Sequence, residues 1–324
     1  MQGLLDWWEA RCASSNALRF VDVNLRGIGQ VMFQNHPLAG LLFFIAIGWG
    51  SLAAGAPQIA IGGFVALVVG SATAYWLRVD EADIHAGLYG FNAYLVGLAL
   101  PTFMAPSAAM WICVALGGAV SAVAMQAIAN LFKTWSTPAL TAPFVLVAWL
   151  LLLATNAFVN LEGALWASDV VAPLDPAFAN PLRFGDFLQG TLLSISQVFL
   201  KGNGIAALLL LAGLAVSSLA SAAWGLAGAI IAVSTAHLLG AESDLITGGL
   251  MGFSPVLTAI ALGAVFYKPG LRVSIYAIVG TVFTVLVQGA LNALVSPFAI
   301  PTLTGPFVLV TWMFLLGRAK LDPE

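Results

Sequence analysis

The chain contains one apolar stretch twice, as Thr141-Ala142-Pro143-Phe144-Val145-Leu146-Val147 and as Thr304-Gly305-Pro306-Phe307-Val308-Leu309-Val310. A tryptophan follows each copy at the same offset, as Trp149 and Trp312. Internal duplication in an apolar chain is typical of transport architectures, in which the solute site lies between two related halves. The duplication therefore favours a membrane channel or carrier over a soluble enzyme.

Two further landmarks recur in the same order along the chain. Gln30-Val31 returns as Gln197-Val198 after 167 residues, and Gly90-Phe91 returns as Gly252-Phe253 after 162 residues. The two copies of the threonine–proline stretch are 163 residues apart. Nearly constant spacing of landmarks in one order predicts that the second half of the chain repeats the first.

The composition indicates that lipid is the main solvent of this chain. Hydrophobic residues make up 61% of its 324 residues, charged residues 8%, and the mean hydropathy is +1.00. A soluble domain carries about 25% charged residues, so this chain cannot cover a water-facing surface. The net charge of −3 comes without a basic cluster, which argues against a nucleic-acid partner. Cys12 and Cys113 form neither a disulfide framework nor a zinc-binding spacing.

A helix that spans a bilayer needs about 20 mostly apolar residues. The first half offers five such segments, near residues 30–50, 57–77, 84–101, 106–131 and 138–158. The second half offers five more, near residues 190–218, 220–239, 245–266, 272–294 and 301–317. We therefore expect an all-α integral membrane protein with about ten transmembrane helices. Its expected parts are a first repeat at 1–158 with a cytoplasmic N-terminal segment, an external loop at 159–187, and a second repeat at 188–324.

Five spans is an odd number, so the second repeat is expected to enter the membrane from the opposite side as an inverted copy. Basic residues test this topology, because they concentrate in cytoplasmic segments. With the N-terminus in the cytoplasm, the basic residues in or beside cytoplasmic segments are Arg11, Arg19, Arg26, Arg78, Lys133, Lys268, Arg272, Arg318 and Lys320. Only Arg183 and Lys201 fall outside. This bias predicts that both termini are cytoplasmic. The alternative, a tandem duplication with one orientation, needs an even number of spans per half.

Two prolines in each copy predict a broken or re-entrant helix. Pro138 and Pro143 are five residues apart, as are Pro301 and Pro306. Proline lacks an N–H and clashes with the preceding turn, so we expect a break that leaves backbone carbonyls without helical partners. At membrane depth such carbonyls are tolerated only where they face protein or a polar cavity. Breaks at equivalent positions predict a solute path. The alternative is that each proline lies in the first turn of a helix.

Two repeated motifs resemble those of a known family. Pro138-Ala139-Leu140-Thr141-Ala142-Pro143-Phe144 and Pro301-Thr302-Leu303-Thr304-Gly305-Pro306-Phe307 resemble the L-P-x-x-T-x-P-F signature of the urea transporters, which appears once in each half of that family. Gln30-Val31-Met32-Phe33 and Gln197-Val198-Phe199 resemble its other repeated motif. The resemblance covers residues 20 to 317, nearly the whole chain.

The resemblance implies a narrow slot in which aromatic faces sandwich a flat solute while oxygens accept its N–H groups along one edge. The residues it implies are Gln30 and Gln197 at the mouths, Phe91 and Phe253 as aromatic walls with Phe33 and Leu200 opposite, and Thr141 and Thr304 at the central constriction. The chain departs from the pattern in having Thr137 and Ile300 in place of the leucine that begins the signature.

Each of these residue types also has a structural alternative. A phenylalanine in a membrane helix is often packed in the core or faces lipid. A threonine hydroxyl can bond back to its own helix, and a glutamine can hydrogen-bond a neighbouring helix.

Charged residues are missing from the middle of every predicted span, and Asp83, Glu242 and Asp244 lie near span ends. Ion-coupled carriers usually need an intramembrane ionisable group, so passive movement of a neutral solute is favoured. The resemblance implies channel-like facilitated transport of urea across the cytoplasmic membrane, expected to be a bacterial inner membrane, by a homotrimer with one pore in each protomer and no cofactor or metal.

The alternative function is a secondary transporter or channel with inverted repeats for another small neutral polar solute, such as an amide, ammonia or a nucleobase. An enzyme is not expected, because the sequence shows no nucleophile–base pair and no phosphate-binding glycine loop.

Overall fold

The structure is a computed structural model that describes residues 2–163, 181–317 and 321. Within these residues the chain is helical or irregular, and the only β feature there is an isolated antiparallel bridge between Met104 and Gly163. The predicted all-α class is therefore confirmed. Residues 164–180 of the predicted external loop, and Arg318 and Lys320 of the charge argument, lie outside the described residues.

Eight α-helices lie in residues 2–163. They are α1 (Gln2–Ala13), α2 (Asn16–Gln30), α3 (Pro37–Ala53), α4 (Pro57–Leu77), α5 (Glu81–His85), α6 (Gly90–Phe103), α7 (Ala108–Phe132) and α8 (Ala142–Ala154). A 3₁₀ turn at Lys133–Trp135 continues α7.

Seven α-helices lie in residues 181–317. They are α9 (Phe184–Ser196), α10 (Gly204–Ser217), α11 (Leu219–Leu238), α12 (Ser243–Thr247), α13 (Phe253–Ile260), α14 (Leu271–Val295) and α15 (Gly305–Leu316). Turns of 3₁₀ helix at Gln197–Phe199 and Ser296–Phe298 continue α9 and α14, and a π-helical stretch at Ala261–Val265 continues α13. The order of long and short helices from α2 to α8 thus recurs from α9 to α15.

The helices differ in how well their lengths match a bilayer. By length and composition, α4, α7, α11 and α14 can each cross a membrane. Helices α9 and α10 meet this criterion only together, and they are bent by 73°. The apolar helices α3, α6, α8 and α15 are shorter, as is α13 with its π-helical continuation.

Two predicted spans are placed wrongly. The segment 190–218 is two helices, because the side chain of Asn203 caps α10 by accepting from the N–H of Ala206 at 3.0 Å. The segment 30–50 likewise begins as a helix only at Pro37, because Nδ1 of His36 accepts from the first N–H groups of α3. Polar N-cap residues therefore divide what the apolar composition makes continuous.

Three pairs of non-glycine residues adopt left-handed backbone at corresponding positions. Their φ angles are 64° at Phe33 and 59° at Leu200, 50° at Ser136 and 51° at Ala299, and 53° at Leu140 and 50° at Leu303. This conformation costs an L-residue about 1–2 kcal/mol, so it persists only where the surrounding structure enforces it. The segments before Thr141 and Thr304 therefore follow the same unusual backbone path.

Small residues allow the central helices of each half to approach closely. A Cβ added to Gly97 on α6 would lie 2.6 Å from Cβ of Ala66 on α4. In the second half, a Cβ added to Gly228 on α11 would lie 2.6 Å from Cβ of Ala259 on α13. Each half therefore has one alanine–glycine contact here, with the glycine on opposite helices of the pair. Such contacts are the usual basis of helix association in membranes.

Candidate functional site

The two proline segments, residues 136–141 and 299–304, are non-helical and lead into α8 and α15. Pro143 and Pro306 lie in the first turns of these helices, where a missing N–H has no partner to lose. Both alternatives considered for the prolines therefore hold. The chain is not helical around the first proline of each pair, and the second proline starts a new helix.

Two indoles cross between the halves to bind carbonyls of these segments. Nε1 of Trp312 donates to the carbonyl oxygen of Pro138 at 2.9 Å, and Nε1 of Trp149 donates to that of Pro301 at 2.8 Å. The expectation that the break leaves bare carbonyls is therefore wrong for Pro138 and Pro301. The reciprocal exchange fastens each half to the start of the other half's segment.

A fully buried asparagine, Asn92 on α6, holds the first segment against α8. Its Nδ2 donates to the carbonyl oxygen of Leu140 at 3.3 Å, and its Oδ1 accepts from the N–H of Phe144 at 3.1 Å. The second bond satisfies one of the first-turn N–H groups that a helix leaves unpaired. Sequence reasoning missed Asn92, although it directly follows the landmark Gly90-Phe91.

The hydroxyls of Thr141 and Thr304 meet where the two segments end. Their Oγ1 atoms are 2.6 Å apart, and each residue is 2% exposed. The predicted central pair is thus brought together inside the protein. Neither hydroxyl bonds back to its own helix, so the structural alternative for these threonines does not hold.

A cavity of about 350 Å³ lies beside this hydroxyl pair. Four residues assigned to the slot from the sequence line it, namely Gln30, Phe33, Phe91 and Thr141. They come from four different parts of the first half. The structure therefore gathers the first-half residues around one space next to the point where the halves meet.

Two aromatic residues of the second half also line this cavity. The ring of Phe33 packs edge-on against Phe266, with centroids 5.7 Å apart, and against Phe307 at 6.0 Å. Phe307 belongs to the repeated stretch, so its contact could have been anticipated. Phe266 follows the π-helical stretch and carries no sequence signal. The wall at Phe33 is therefore built by both halves.

The two predicted glutamines are anchored in the same way. Nε2 of Gln30 donates to the carbonyl oxygen of Ala86 at 2.9 Å, and Nε2 of Gln197 donates to that of Gly248 at 3.0 Å. Each amide therefore bonds a neighbouring segment, as the structural alternative proposed. Within the described residues, Oε1 of Gln30 accepts no hydrogen bond, and the residue lines the cavity. Anchoring and lining are thus compatible at Gln30.

The remaining predicted residues lie away from this cavity. Gln197, Leu200 and Phe253 do not line it, and Thr304 reaches its edge only through Thr141. Phe253 is 7% exposed, close to the 6% of its counterpart Phe91. The second-half residues therefore surround a different part of the interior.

A wider cleft of about 760 Å³ adjoins the cavity. The two spaces share Thr137, Pro138 and Phe266 in their linings, and Lys133 lines the wider one. Asp83 lines the inner one. Burial raises the pKa of the Asp83 carboxyl, and the charge of Asp80 raises this pKa further. The cleft gives solvent a way into the cavity.

Metal chemistry finds no ligand set in the part of the chain that the structure describes, where no group of three His, Cys, Asp or Glu side chains could hold an ion. The chemistry present is hydrogen bonding by a glutamine amide and a threonine hydroxyl between phenylalanine rings. Such a site can bind and release a small neutral molecule.

Apolar helices around this buried hydroxyl pair and its aromatic-lined cavity define a membrane transport protein. The model of the family described as Urea transporter matches residues 21–319. Urea transporter 1 of Ovis aries is 29% identical over 313 residues, which cover 94% of this chain and 78% of that protein. Urea transporter 1 of Rattus norvegicus is 28% identical over 305 residues, which cover 92% and 77%. The chain belongs to the urea transporter family and is an integral membrane protein, which confirms the resemblance of its motifs.

Proposed function

We propose that this protein conducts urea across the cytoplasmic membrane down its concentration gradient, as a channel-like facilitator without ion coupling. The observation that carries the proposal is the buried hydroxyl pair of Thr141 and Thr304, beside a cavity walled by phenylalanine rings. Family membership and relatives named Urea transporter 1 support the choice of solute.

The chemistry of the cavity suits a flat, neutral, polar solute. Urea has one acceptor and two NH₂ groups, and leaving water unpaired would cost several kcal/mol. Oε1 of Gln30 and Oγ1 of Thr141 can accept its N–H groups, while the rings of Phe33 and Phe91 match its faces. Rings give shape without strong bonds, so the solute is held weakly enough to leave.

We further propose that residues 1–158 and 188–324 are inverted repeats joined by an external loop at 159–187. A two-fold relation between the halves generates the reciprocal indole–carbonyl bonds and the single bond between equivalent threonines. The spans are then α2 with α3, α4, α6, α7 and α8, followed by α9 with α10, α11, α13, α14 and α15. Ten spans place both termini in the cytoplasm.

The short helices fit this topology because extended segments complete their crossings. Helix α8 has 13 residues, which makes it about 20 Å long, whereas the hydrocarbon core is about 30 Å thick. Residues 136–141 continue its path with buried backbone, as non-helical backbone at membrane depth requires. From the family resemblance we also propose a homotrimer in a bacterial inner membrane, with one path in each protomer.

Purified protein in liposomes tests the proposed function. Stopped-flow light scattering should show urea efflux well above that of empty liposomes, with no proton or sodium gradient imposed. Flux at the level of empty liposomes, or flux that requires an ion gradient, would contradict the proposal. Cross-linking in the native membrane tests the oligomer, and a species larger or smaller than a trimer argues against it.

One observation favours the alternative of a carrier that alternates between states. The bond between Thr141 and Thr304 joins the halves across the proposed path, and the cavity lies on one side of it. A carrier for another small neutral solute saturates at low concentration and shows countertransport. A channel-like facilitator gives flux proportional to urea over a wide range, so the same liposomes distinguish the two.

A further inference from the structure

A second cavity, of about 310 Å³, lies between the end of α11, helix α12 and helix α14. Aliphatic and small side chains form most of its wall, and its polar side chains are Glu242 and Asn292. Its volume is roughly ten times that of a water molecule in the liquid. None of the residues assigned to the solute path lines it. It is therefore a separate space.

The corresponding place in the first half is filled. There the phenol of Tyr89, next to α6, hydrogen-bonds Oε1 of Gln126 on α7. At the spacing of the flanking landmarks, Tyr89 corresponds to Met251 and Gln126 to Gly289. Both Met251 and Gly289 line the second cavity. The cavity therefore exists because the second half lacks the tyrosine–glutamine pair.

The acidic residue at the edge of this cavity also differs from its counterpart. In the first half Asp80 caps α5, because its Oδ1 accepts from the N–H groups of Ala82 and Asp83 at 2.9 and 3.3 Å. Glu242 precedes α12 at the same position but makes no capping bond. Its Oε2 is buried and has no hydrogen-bond partner among the described residues. A buried carboxylate oxygen without a donor is costly, so a ligand that supplies one is favoured.

We propose that this cavity binds a primary ammonium group carried on a short alkyl chain. The ammonium donates to Oε2 of Glu242 in a charge-assisted hydrogen bond, and the chain lies against Val285 and Leu286. A compact metal ion such as Ca²⁺ needs 6–8 oxygen ligands, which this wall does not supply. The ammonium can come from a soluble alkylamine or from the headgroup of an ethanolamine lipid.

Binding of n-hexylammonium to the purified full chain in detergent, measured by calorimetry, tests the proposal, with n-hexanol as the uncharged ligand of equal length. Wild type should bind the ammonium and not the alcohol. Glu242→Gln should weaken binding by roughly ten- to a hundredfold, the usual effect of losing a charged hydrogen-bond partner. Asp244→Asn changes an exposed carboxylate outside the cavity wall and should bind as wild type. Equal affinity of Glu242→Gln and wild type overturns the proposal.

A second variant tests the space and not the charge. A Cβ at Gly289 would meet no atom within 4 Å, so Gly289→Leu should fold with wild-type thermal stability and fill the cavity. Hexylammonium binding should then be lost. Undiminished binding to this folded variant places the ligand elsewhere and overturns the proposal. If Gly289→Leu does not fold, the comparison of Glu242→Gln with Asp244→Asn still decides.

The source of the ammonium is tested in nanodiscs of phosphatidylcholine with and without phosphatidylethanolamine. Weaker hexylammonium binding in the presence of phosphatidylethanolamine supports the proposal with a lipid headgroup as occupant. Equal binding in both supports it with a soluble amine as occupant. No binding of hexylammonium in detergent or in phosphatidylcholine overturns it.

Discussion

Thr141 and Thr304 are 163 residues apart in sequence, and their hydroxyls share a hydrogen bond of 2.6 Å. Each occupies the N-cap position of a helix, yet neither side chain caps that helix. Threonine at this position ordinarily bonds an N–H of the first turn. The two hydroxyls are instead directed to each other, at the point where the halves meet.

Thr304→Val should reduce urea flux while the protein still folds, because the shape is kept and one hydroxyl is lost. The Thr141 hydroxyl then stays buried without its partner, which should cost about 1–3 kcal/mol of stability. The double variant Thr141→Val/Thr304→Val should regain part of this stability but none of the flux. Stopped-flow urea efflux and thermal unfolding measure the two effects. Unchanged flux in Thr304→Val would remove this residue from the path.

Trp149→Phe and Trp312→Phe should each lower the melting temperature in detergent. Each change removes the N–H that binds a buried carbonyl of the opposite half, at Pro301 or Pro138, at a cost of about 1 kcal/mol or more. Trp76→Phe, at a residue that is 80% exposed, is the matched control and should have no effect. Equal melting temperatures in all three variants would show that the crossed bonds do not stabilise the fold.

Gln30→Leu should weaken the competition between urea and a close analogue such as thiourea, because the cavity loses its amide oxygen. Inhibition of urea flux by thiourea measures the effect. Gln189→Leu makes the same change at an exposed site on α9 and should be inhibited like wild type. Identical inhibition of wild type and Gln30→Leu would place Gln30 outside the solute path.

Ala299→Gly should stabilise the protein or leave it unchanged, although alanine to glycine usually destabilises. Ala299 is exposed with φ at 51°, a conformation that costs an L-residue about 1–2 kcal/mol and glycine little. Ala223→Gly, at an exposed site inside α11, should cost about 1 kcal/mol. Thermal unfolding compares the variants. A similar loss in both would mean that the left-handed backbone at 299 is not maintained.

Asp83→Asn should raise the melting temperature at pH 7. Burial and Asp80 raise the pKa of Asp83 in the folded protein, so the ionised carboxyl opposes folding, and stability falls as the pH rises above the ordinary value of 3.8. The difference should vanish below that pH, and it should be small because Asp83 is largely exposed. Asp6→Asn, at another exposed carboxyl, is the control. A melting temperature below that of wild type at pH 7 would contradict this sign.

The sequence predicted the helical class, the membrane setting and the family, since these depend on composition and on motifs read in order. It failed where one side chain decides a boundary. Apolar residues continue through positions 190–218, and only the cap made by Asn203 divides the segment into α9 and α10. A local hydrogen bond changes the backbone direction without changing the hydropathy.

The candidate site shows the same division. The duplicated stretch by itself marked Thr141 and Thr304 as equivalent residues, and the Gln-Val and Gly-Phe landmarks marked Gln30 and Phe91. Only the tertiary structure decided that the two hydroxyls meet, that Phe266 packs on Phe33, and that the indoles bind carbonyls of the opposite half. Those contacts join residues far apart in the chain, and their geometry depends on how the helices pack, which no local sequence pattern encodes.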